Sequence, residues 1–112
     1  MKRYLFLIVS VLLFSSCIKG YYHEKRVINN SRDSIEIIAN CCGNEEHYLI
    51  AEGEEKIVFS CFYESIQKPK IDELSWDFTL VTNDQEFKID NPNQWSDQST
   101  DRKLKFVYFV ED

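Results

Sequence analysis

Beyond about residue 26, apolar and polar residues alternate along the chain in short runs that are separated by turn-forming residues. A period of two places successive side chains on opposite faces, so these runs predict β-strands. In the strongest run, Ile57, Phe59, Cys61 and Tyr63 would share the core face. The segments that fit this pattern are 27–28, 34–39, 47–50, 56–63, 76–82, 85–90 and 104–110.

The intervening stretches contain turn formers, and none has the period of a helix of about ten residues or more. Asn83 and Asp84 stand between two alternating runs, which is typical of a two-residue hairpin. Residues 26–112 are therefore predicted to form an all-β domain, a small antiparallel β-sandwich of about seven strands. An immunoglobulin-like arrangement is one version of this fold, and only the number of strands supports it.

The first 16 residues follow a different pattern. Two basic residues at positions 2–3 precede an apolar run at 4–14, which is too short to cross a bilayer as a helix. Two serines at 15–16 follow, and the next residue is Cys17. A basic start, a short apolar run and then small residues are the layout of a secretory signal peptide.

The stretch LLFSSC, residues 12–17, resembles the lipobox of bacterial lipoproteins. The resemblance implies cleavage between Ser16 and Cys17, with a diacylglycerol and a further acyl chain such as palmitate attached to Cys17. It implies a bacterial cell envelope protein that is lipid-anchored to a membrane, and we expect the outer membrane of a Gram-negative bacterium. An ordinary signal peptide that is cleaved elsewhere and an uncleaved anchor helix are the alternatives.

This assignment divides the chain into a cleaved leader at 1–16, a lipidated cysteine and tether at 17–25, and the β-sandwich domain at 26–112. Two of the 13 basic residues lie in the leader, so residues 17–112 carry 11 basic and 19 acidic residues, a net charge of −8. An acidic surface repels nucleic-acid phosphates and anionic lipid headgroups. We therefore expect no nucleic-acid partner, and we expect the lipid on Cys17 to hold the protein at the membrane.

Three cysteines remain once Cys17 is assigned to the lipid, and an exported chain permits a disulfide. Cys41 and Cys42 are adjacent, and their Cα atoms, about 3.8 Å apart, are too close for an ordinary disulfide. If the strand at 34–39 continues, Cys41 shares its core face, as Cys61 does on its own strand. We expect a Cys41–Cys61 disulfide, and a Cys42–Cys61 bond or three thiols are the alternatives.

A metal site formed by Cys41, Cys42, His47 and Cys61 is a further alternative. The ligand types suit zinc or copper, but the spacing matches no common zinc template. We therefore expect neither a metal nor another cofactor. Trp95 lies in a polar loop, where an exposed ring would suit contact with a sugar or a protein, although the ring could instead fold back as a lid on the core.

The sequence shows no set of residues spaced for catalysis, and His23 falls in the predicted tether. We expect a non-catalytic domain that serves binding or structure in a lipid-anchored envelope protein, with a protein or glycan as the partner. The alternative is an inhibitor or immunity-type lipoprotein that blocks a partner enzyme, for which an acidic surface would be useful. An enzyme that uses the Cys/His group is the third class.

Overall fold

The computed structural model describes residues 20–41, 43–64 and 67–112, and most of these residues lie in strands. The leader, Cys17 and Cys42 lie outside the described residues. Eight strands follow one another: β1 (Tyr21–Asn29), β2 (Ile35–Cys41), β3 (Asn44–Ile50), β4 (Glu55–Tyr63), β5 (Phe78–Thr82), β6 (Gln85–Lys88), β7 (Ser96–Asp97) and β8 (Lys103–Val110). Two short 3-10 helices, Ile71–Glu73 and Pro92–Gln94, precede β5 and β7.

The strands form two four-stranded sheets that pack face to face. Sheet A has the order β4-β1-β8-β7, and sheet B has the order β3-β2-β5-β6. Every strand pair is antiparallel except β1 and β8, which run parallel in the middle of sheet A. The predicted all-β sandwich is therefore confirmed. The strand beyond the seven expected is β7, which is only two residues long.

The first strand begins at Tyr21, so the tether predicted at 17–25 is wrong for residues 21–25. β1 is a central strand, bonded to β4 on one side and to β8 on the other. Its core-facing positions alternate as a strand requires, but three of them, His23, Lys25 and Asn29, are polar and fully buried. Only Tyr21 and Val27 make this face apolar, and two apolar residues do not reveal a buried strand.

A β-bulge makes the predicted face of β4 partly wrong. The pairing with β1 shifts, so that Lys25 lies opposite Phe59 while Arg26 lies opposite Ile57. The extra residue, Val58, is 2% exposed, whereas Ile57 lies on the outer face and is 42% exposed. One inserted residue reverses the alternation on one side of the bulge, so the residues from Phe59 onward keep the predicted face and Ile57 does not.

The predicted hairpin between β5 and β6 is confirmed. Thr82 pairs with Gln85, which leaves a two-residue turn. Asn83 and Asp84 have φ angles of 52° and 60°. Positive φ at both central positions is the type I′ geometry that the right-handed twist of a hairpin favours, and Asn and Asp tolerate it better than other non-glycine residues.

Asn29, the last residue of β1, ties three segments together at one end of the sandwich. Its Nδ2 donates to the carbonyl oxygens of Asp33 at 2.8 Å and Ile50 at 3.1 Å. Its Oδ1 accepts from the backbone N–H and the hydroxyl of Ser31, at 3.0 and 2.6 Å. Each polar atom of this buried side chain therefore has two partners, and the turn between β1 and β2 is fixed against the end of β3.

Candidate functional site

Lys25 lies in the core, surrounded by aromatic side chains from both sheets. It has no exposed surface. Its Nζ lies 4.4 Å from the ring centre of Trp76, 4.6 Å from that of Phe59 and 5.6 Å from that of Phe78. The face of an aromatic ring attracts an ammonium group, by about 2 kcal/mol or more where water is excluded. These rings therefore offset part of the free energy needed to bury a lysine.

His23 is the hydrogen-bond partner of Lys25 on the same face of β1. The Nζ of Lys25 and the Nε2 of His23 are 2.9 Å apart. Burial lowers the pKa of Lys25 to about 7, and electrostatic attraction to the sulfur of Cys41 partly opposes this change. Burial, and then the charge of Lys25, lowers the pKa of His23 to about 3. At neutral pH the imidazole is therefore uncharged, while Lys25 exchanges between its ammonium and free amine forms.

An amine with a pKa near neutrality is the kind of nucleophile or base that enzymes use. A substrate would have to touch Nζ, yet Lys25 and His23 are both fully enclosed. The rings of Phe59, Tyr63 and Phe106 lie 4.8, 5.8 and 5.8 Å from the His23 ring. In this conformation the pair acts on the stability of the core, and a substrate could reach it only if the aromatic rings moved.

A cleft of about 390 Å³ opens between the sheets along the edge formed by β3 and β4. The volume is within the range of small-ligand sites. The cleft exists because the inward positions at the start of β3 are polar, Asn44 and Glu46, and do not seal this edge with apolar packing. Its lining comes from both sheets: Ala39, Cys41, Asn44, Glu46 and Tyr48 from sheet B, and Val58, Phe59, Ser60 and Cys61 from sheet A.

Two of the lining side chains form a polar contact inside the cleft. The hydroxyl of Tyr48 donates to the carboxylate of Glu46. Burial, together with the hydrogen bond and the charge of Glu46, raises the pKa of Tyr48 to about 12. The phenol therefore stays protonated at physiological pH. The cleft presents a carboxylate, an amide and a hydroxyl beside the ring of Phe59, so it offers both hydrogen-bonding and apolar contacts.

The two cysteines predicted to pair do line the same cleft. Cys41 is on the inward face of β2 and Cys61 is on the inward face of β4, where it lies opposite His23. The structure contains no disulfide among its described residues, and both sulfurs are present as thiols. The predicted faces are therefore right, but the predicted Cys41–Cys61 bond is not formed here. Cys42, the alternative partner, lies outside the described residues.

The alternative metal site is not assembled by the part of the chain that can be described. His47 lies on the outer face of β3, where its Nδ1 is 3.2 Å from Glu36 and its Nε2 is 3.5 Å from Glu45. Cys41 and Cys61 point inward, so the imidazole is on the other side of sheet B from the thiols. Within residues 20–41, 43–64 and 67–112, no group of three or more His, Cys, Asp or Glu side chains could hold a metal ion.

Trp95, the predicted ligand contact, is folded back on the core. It is 5% exposed. Its Nε1 donates to the carbonyl of Ile89 at 2.9 Å, and its ring packs against Phe78, Trp76 and Tyr108. An exposed ring for a sugar or a protein is therefore not available at this position. The loop is otherwise polar, so its composition suggested that Trp95 would be exposed. The indole is instead the one large apolar side chain of the loop, and it turns inward onto the core.

The outer face of sheet A carries a group of charged residues that the sequence analysis missed. Glu24 is 3% exposed and lies between Arg26, at 3.2 Å, and Lys103, at 3.4 Å. Arg26 also reaches Glu55 at 3.4 Å. Four large apolar side chains on this face are exposed: Tyr22, Ile57, Phe62 and Phe109. Glu24 fell in the predicted tether and Arg26 just after it, outside any predicted strand, so the pattern did not indicate that the two side chains share a face.

The part of the chain that the structure describes has no helix long and apolar enough to cross a membrane. Comparison with protein-family models, with curated proteins and with solved structures finds no match for this chain.

Proposed function

We propose that this chain is a lipid-anchored bacterial envelope protein whose β-sandwich binds a ligand and does not catalyse a reaction. The observation that carries the anchor is the order of residues at 2–17: two basic residues, a short apolar run, two serines and Cys17. Binding is supported by the open cleft between the sheets, which has a size and lining suited to a ligand. The full enclosure of Lys25 and His23 argues against their use in catalysis.

The anchor is tested by following the precursor in its native host. Globomycin, which inhibits the lipoprotein signal peptidase, should cause the uncleaved form to accumulate, and Cys17→Ala should prevent incorporation of labelled palmitate. Cys42→Ala is the matched control, since it removes a cysteine that the lipobox does not use and should leave labelling unchanged. Normal processing of Cys17→Ala would contradict the lipoprotein assignment.

The cleft is the proposed binding site for a small ligand or a short peptide side chain. Every protein compared carries Cys41→Ser, so that no Cys41–Cys61 disulfide can form. In this background Cys61→Trp should fill the space between β2 and β4, because position 61 lines the cleft. Leu49→Trp is the matched control, since Leu49 is 67% exposed on β3 and does not line the cleft. Native mass spectrometry of protein purified from the envelope should detect a bound mass with Leu49→Trp and none with Cys61→Trp. A bound mass on both variants would exclude the cleft as the site. The absence of a bound mass from the parent and from both variants would also count against a ligand in the cleft.

In an oxidising envelope we propose that Cys41 and Cys61 close to a disulfide across the cleft. Both line the same space, on inward faces of opposite sheets. A bond between them would close a loop of about 20 residues and would stabilise the fold by about 3 kcal/mol. Thiol titration of denatured, unreduced protein should then give one reactive thiol, from Cys42. Three reactive thiols would show that the pair stays reduced.

A second candidate, an inhibitor or immunity-type protein, is favoured by the charge at one end of the sandwich. We call this end of the sandwich the far end. It comprises the loops and strand ends at 30–34, 51–56 and 83–86, together with residues 111–112. They contain eight carboxylates and two cations. Such a surface would speed association with a basic partner, and this speed would fall as salt rises. Charge-reversing substitutions at Glu52 and Glu54 should slow capture of such a partner, whereas cleft variants should not.

A further inference from the structure

The chain enters the sandwich directly beside an exposed aromatic ring. Gly20 precedes β1, and a Cβ at this position would lie 2.2 Å from the carbonyl oxygen of Tyr63 and 2.6 Å from the ring of Phe62. Only a glycine permits so close an approach. The chain at Gly20 therefore lies against Phe62, the side chain of which is 47% exposed on the outer face of sheet A.

Phe62 belongs to a small patch at this corner of the outer face, which we call the anchor corner and define as Tyr22, Phe62, Arg102 and Lys103. Tyr22 pairs with Phe62 on β4 and with Lys103 on β8. The ammonium of Lys103 lies 5.6 Å from the centre of the Tyr22 ring, and the Tyr22 N–H donates to the carbonyl of Arg102 at 3.0 Å. Tyr22 is 38% exposed. Aromatic rings and long cations are thus presented together where β1 begins.

The length of chain between the lipid and this corner is short. Three residue steps separate Cys17 from Gly20, so an acylated Cys17 would lie at most about 11 Å from the start of the sandwich. A domain held on so short a connection has a high effective concentration at the bilayer, and even a weak surface contact is then populated. The part of the sandwich nearest the bilayer must be the end that contains the anchor corner.

The distribution of charge favours the same orientation. At the anchor corner and on the adjoining strands, Arg102, Lys103 and Lys105 offset Glu24, Glu64 and Asp101. The far end, at the opposite end of β1, carries eight carboxylates against two cations. The end of the sandwich that contains the anchor corner also carries Glu45, Asp72, Glu73 and Asp77, so a bilayer with anionic lipids repels the far end more strongly than it repels this end. Tyr and Trp rings are favoured at the headgroup level, where an apolar ring and a polar edge are both satisfied.

We infer that the anchor corner lies in the interface of the bilayer that holds the lipid of Cys17, with the rings of Tyr22 and Phe62 at headgroup level and the far end directed away from the membrane. This inference rests on the proposed acylation of Cys17. The occupant of the patch is the lipid surface itself. In this orientation the far end remains open to a protein partner.

The test compares two tryptophan substitutions on the same face of sheet A. Phe62→Trp places an indole at the anchor corner, and Phe109→Trp places one where β8 pairs with the end of β1, beside Ile28. The two parent side chains have similar exposed fractions, 47% and 43%. The acylated protein is reconstituted in vesicles of phosphatidylethanolamine and phosphatidylglycerol that contain brominated acyl chains. The fluorescence of the parent, from Trp76 and Trp95, is subtracted.

We expect the added fluorescence of Phe62→Trp to be shifted to the blue and to fall by about two-fold with brominated lipid, because its indole lies at the interface. The added fluorescence of Phe109→Trp should not change. Tyr22→Trp, at the paired position on β1, repeats the measurement if Phe62→Trp does not fold. Equal quenching at positions 62 and 109, which would indicate a domain lying flat, would overturn the inference, and so would quenching at neither.

Mass spectrometry of the N-terminal peptide separates this inference from the proposed function. If Cys17 carries no acyl chain, the lipoprotein assignment fails and the inference fails with it. If Cys17 is acylated but the indole at position 62 is not quenched, the anchor stands and only the orientation is wrong. If the natural partner of the anchor corner is a protein and not lipid, the indole at position 62 of the purified protein would not be quenched in vesicles. That result would count against the inference.

Discussion

Lys25→Met replaces an amine that has no exposed surface with an apolar side chain of similar length. The substitution keeps the volume that the aromatic rings enclose, so little repacking is expected. It removes the group whose protonation is opposed by the core. The variant therefore isolates the electrostatic contribution of one buried cation to the stability of the domain.

The magnitude follows from the pKa of Lys25, which burial lowers from 10.5 to about 7. Between these two values the unfolded state binds more protons than the folded state, so the free energy of unfolding rises with pH across this window. From pH 7 to pH 9.5 the rise is about 3 kcal/mol. Below the folded-state pKa both states are protonated, and the contribution no longer changes. The rise is large against the roughly 5–14 kcal/mol expected for a domain of this size.

The assay is guanidinium unfolding at pH 7, 8 and 9.5, with Cys41→Ser in the background of every protein so that this neighbouring thiol does not titrate. His23 does not contribute in this window, because its pKa is about 3 when folded and 6.5 when unfolded. Measurements stop at pH 9.5 because burial raises the pKa of Tyr48 to about 12 and also raises that of Tyr108. Those raised values would lower stability at higher pH.

We expect the unfolding midpoint of the parent to rise steeply from pH 7 to pH 9.5 and that of Lys25→Met to change little. At pH 7 the variant should be at least as stable as the parent, since an apolar side chain replaces a buried charge. Lys68→Met, at an exposed loop position, is the control and should keep the slope of the parent. A parent that shows no more pH dependence than Lys25→Met would refute the reasoning.

Two further predictions concern buried polar groups, and each has an exposed counterpart for comparison. Asn29→Ala removes four hydrogen bonds and should lower the free energy of unfolding by about 2–4 kcal/mol, whereas Asn30→Ala, at an exposed side chain, should change it by less than about 0.5 kcal/mol in urea titrations. Arg26→Ala leaves Glu24 buried with one cation fewer, so the free energy of unfolding should fall by about 3 kcal/mol. Arg32→Ala breaks an exposed ion pair, and in the same assay the free energy of unfolding should fall by less than about 1 kcal/mol. Equal losses for the two arginines would show that burial does not govern the contribution of these ion pairs.

Most strands could be predicted because their inward positions are apolar. The alternation of Ile35, Ile37 and Ala39 fixed the face of β2, and its extension placed Cys41 on the core side before any geometry was known. The hairpin at Asn83 and Asp84 was equally clear, since few residues accept positive φ. Such elements follow from local rules, and these rules are legible in a single sequence.

Other features depended on distant parts of the chain. The strand at 21–29 was predicted only at 27–28, because the inward side chains before it include Lys25, and a lysine is buried only when the fold supplies the rings of Phe59, Trp76 and Phe78. The exposure of Ile57 was missed because a bulge is a property of strand pairing, which no run of residues specifies by itself. The cleft could not be predicted either, since it arises where two edges fail to meet.

The parallel pairing of β1 with β8 has a consequence for the order in which the molecule folds. Tyr22 pairs with Lys103, which is 81 positions later in the chain. The hairpins β2–β3 and β5–β6 join neighbours in sequence and can form early, but the centre of sheet A must wait for β8. Pairing between distant segments slows folding. The two outer hairpins of sheet B are therefore expected to form before sheet A, and a chain that lacks its last strand would leave the core side of sheet B without a completed partner sheet.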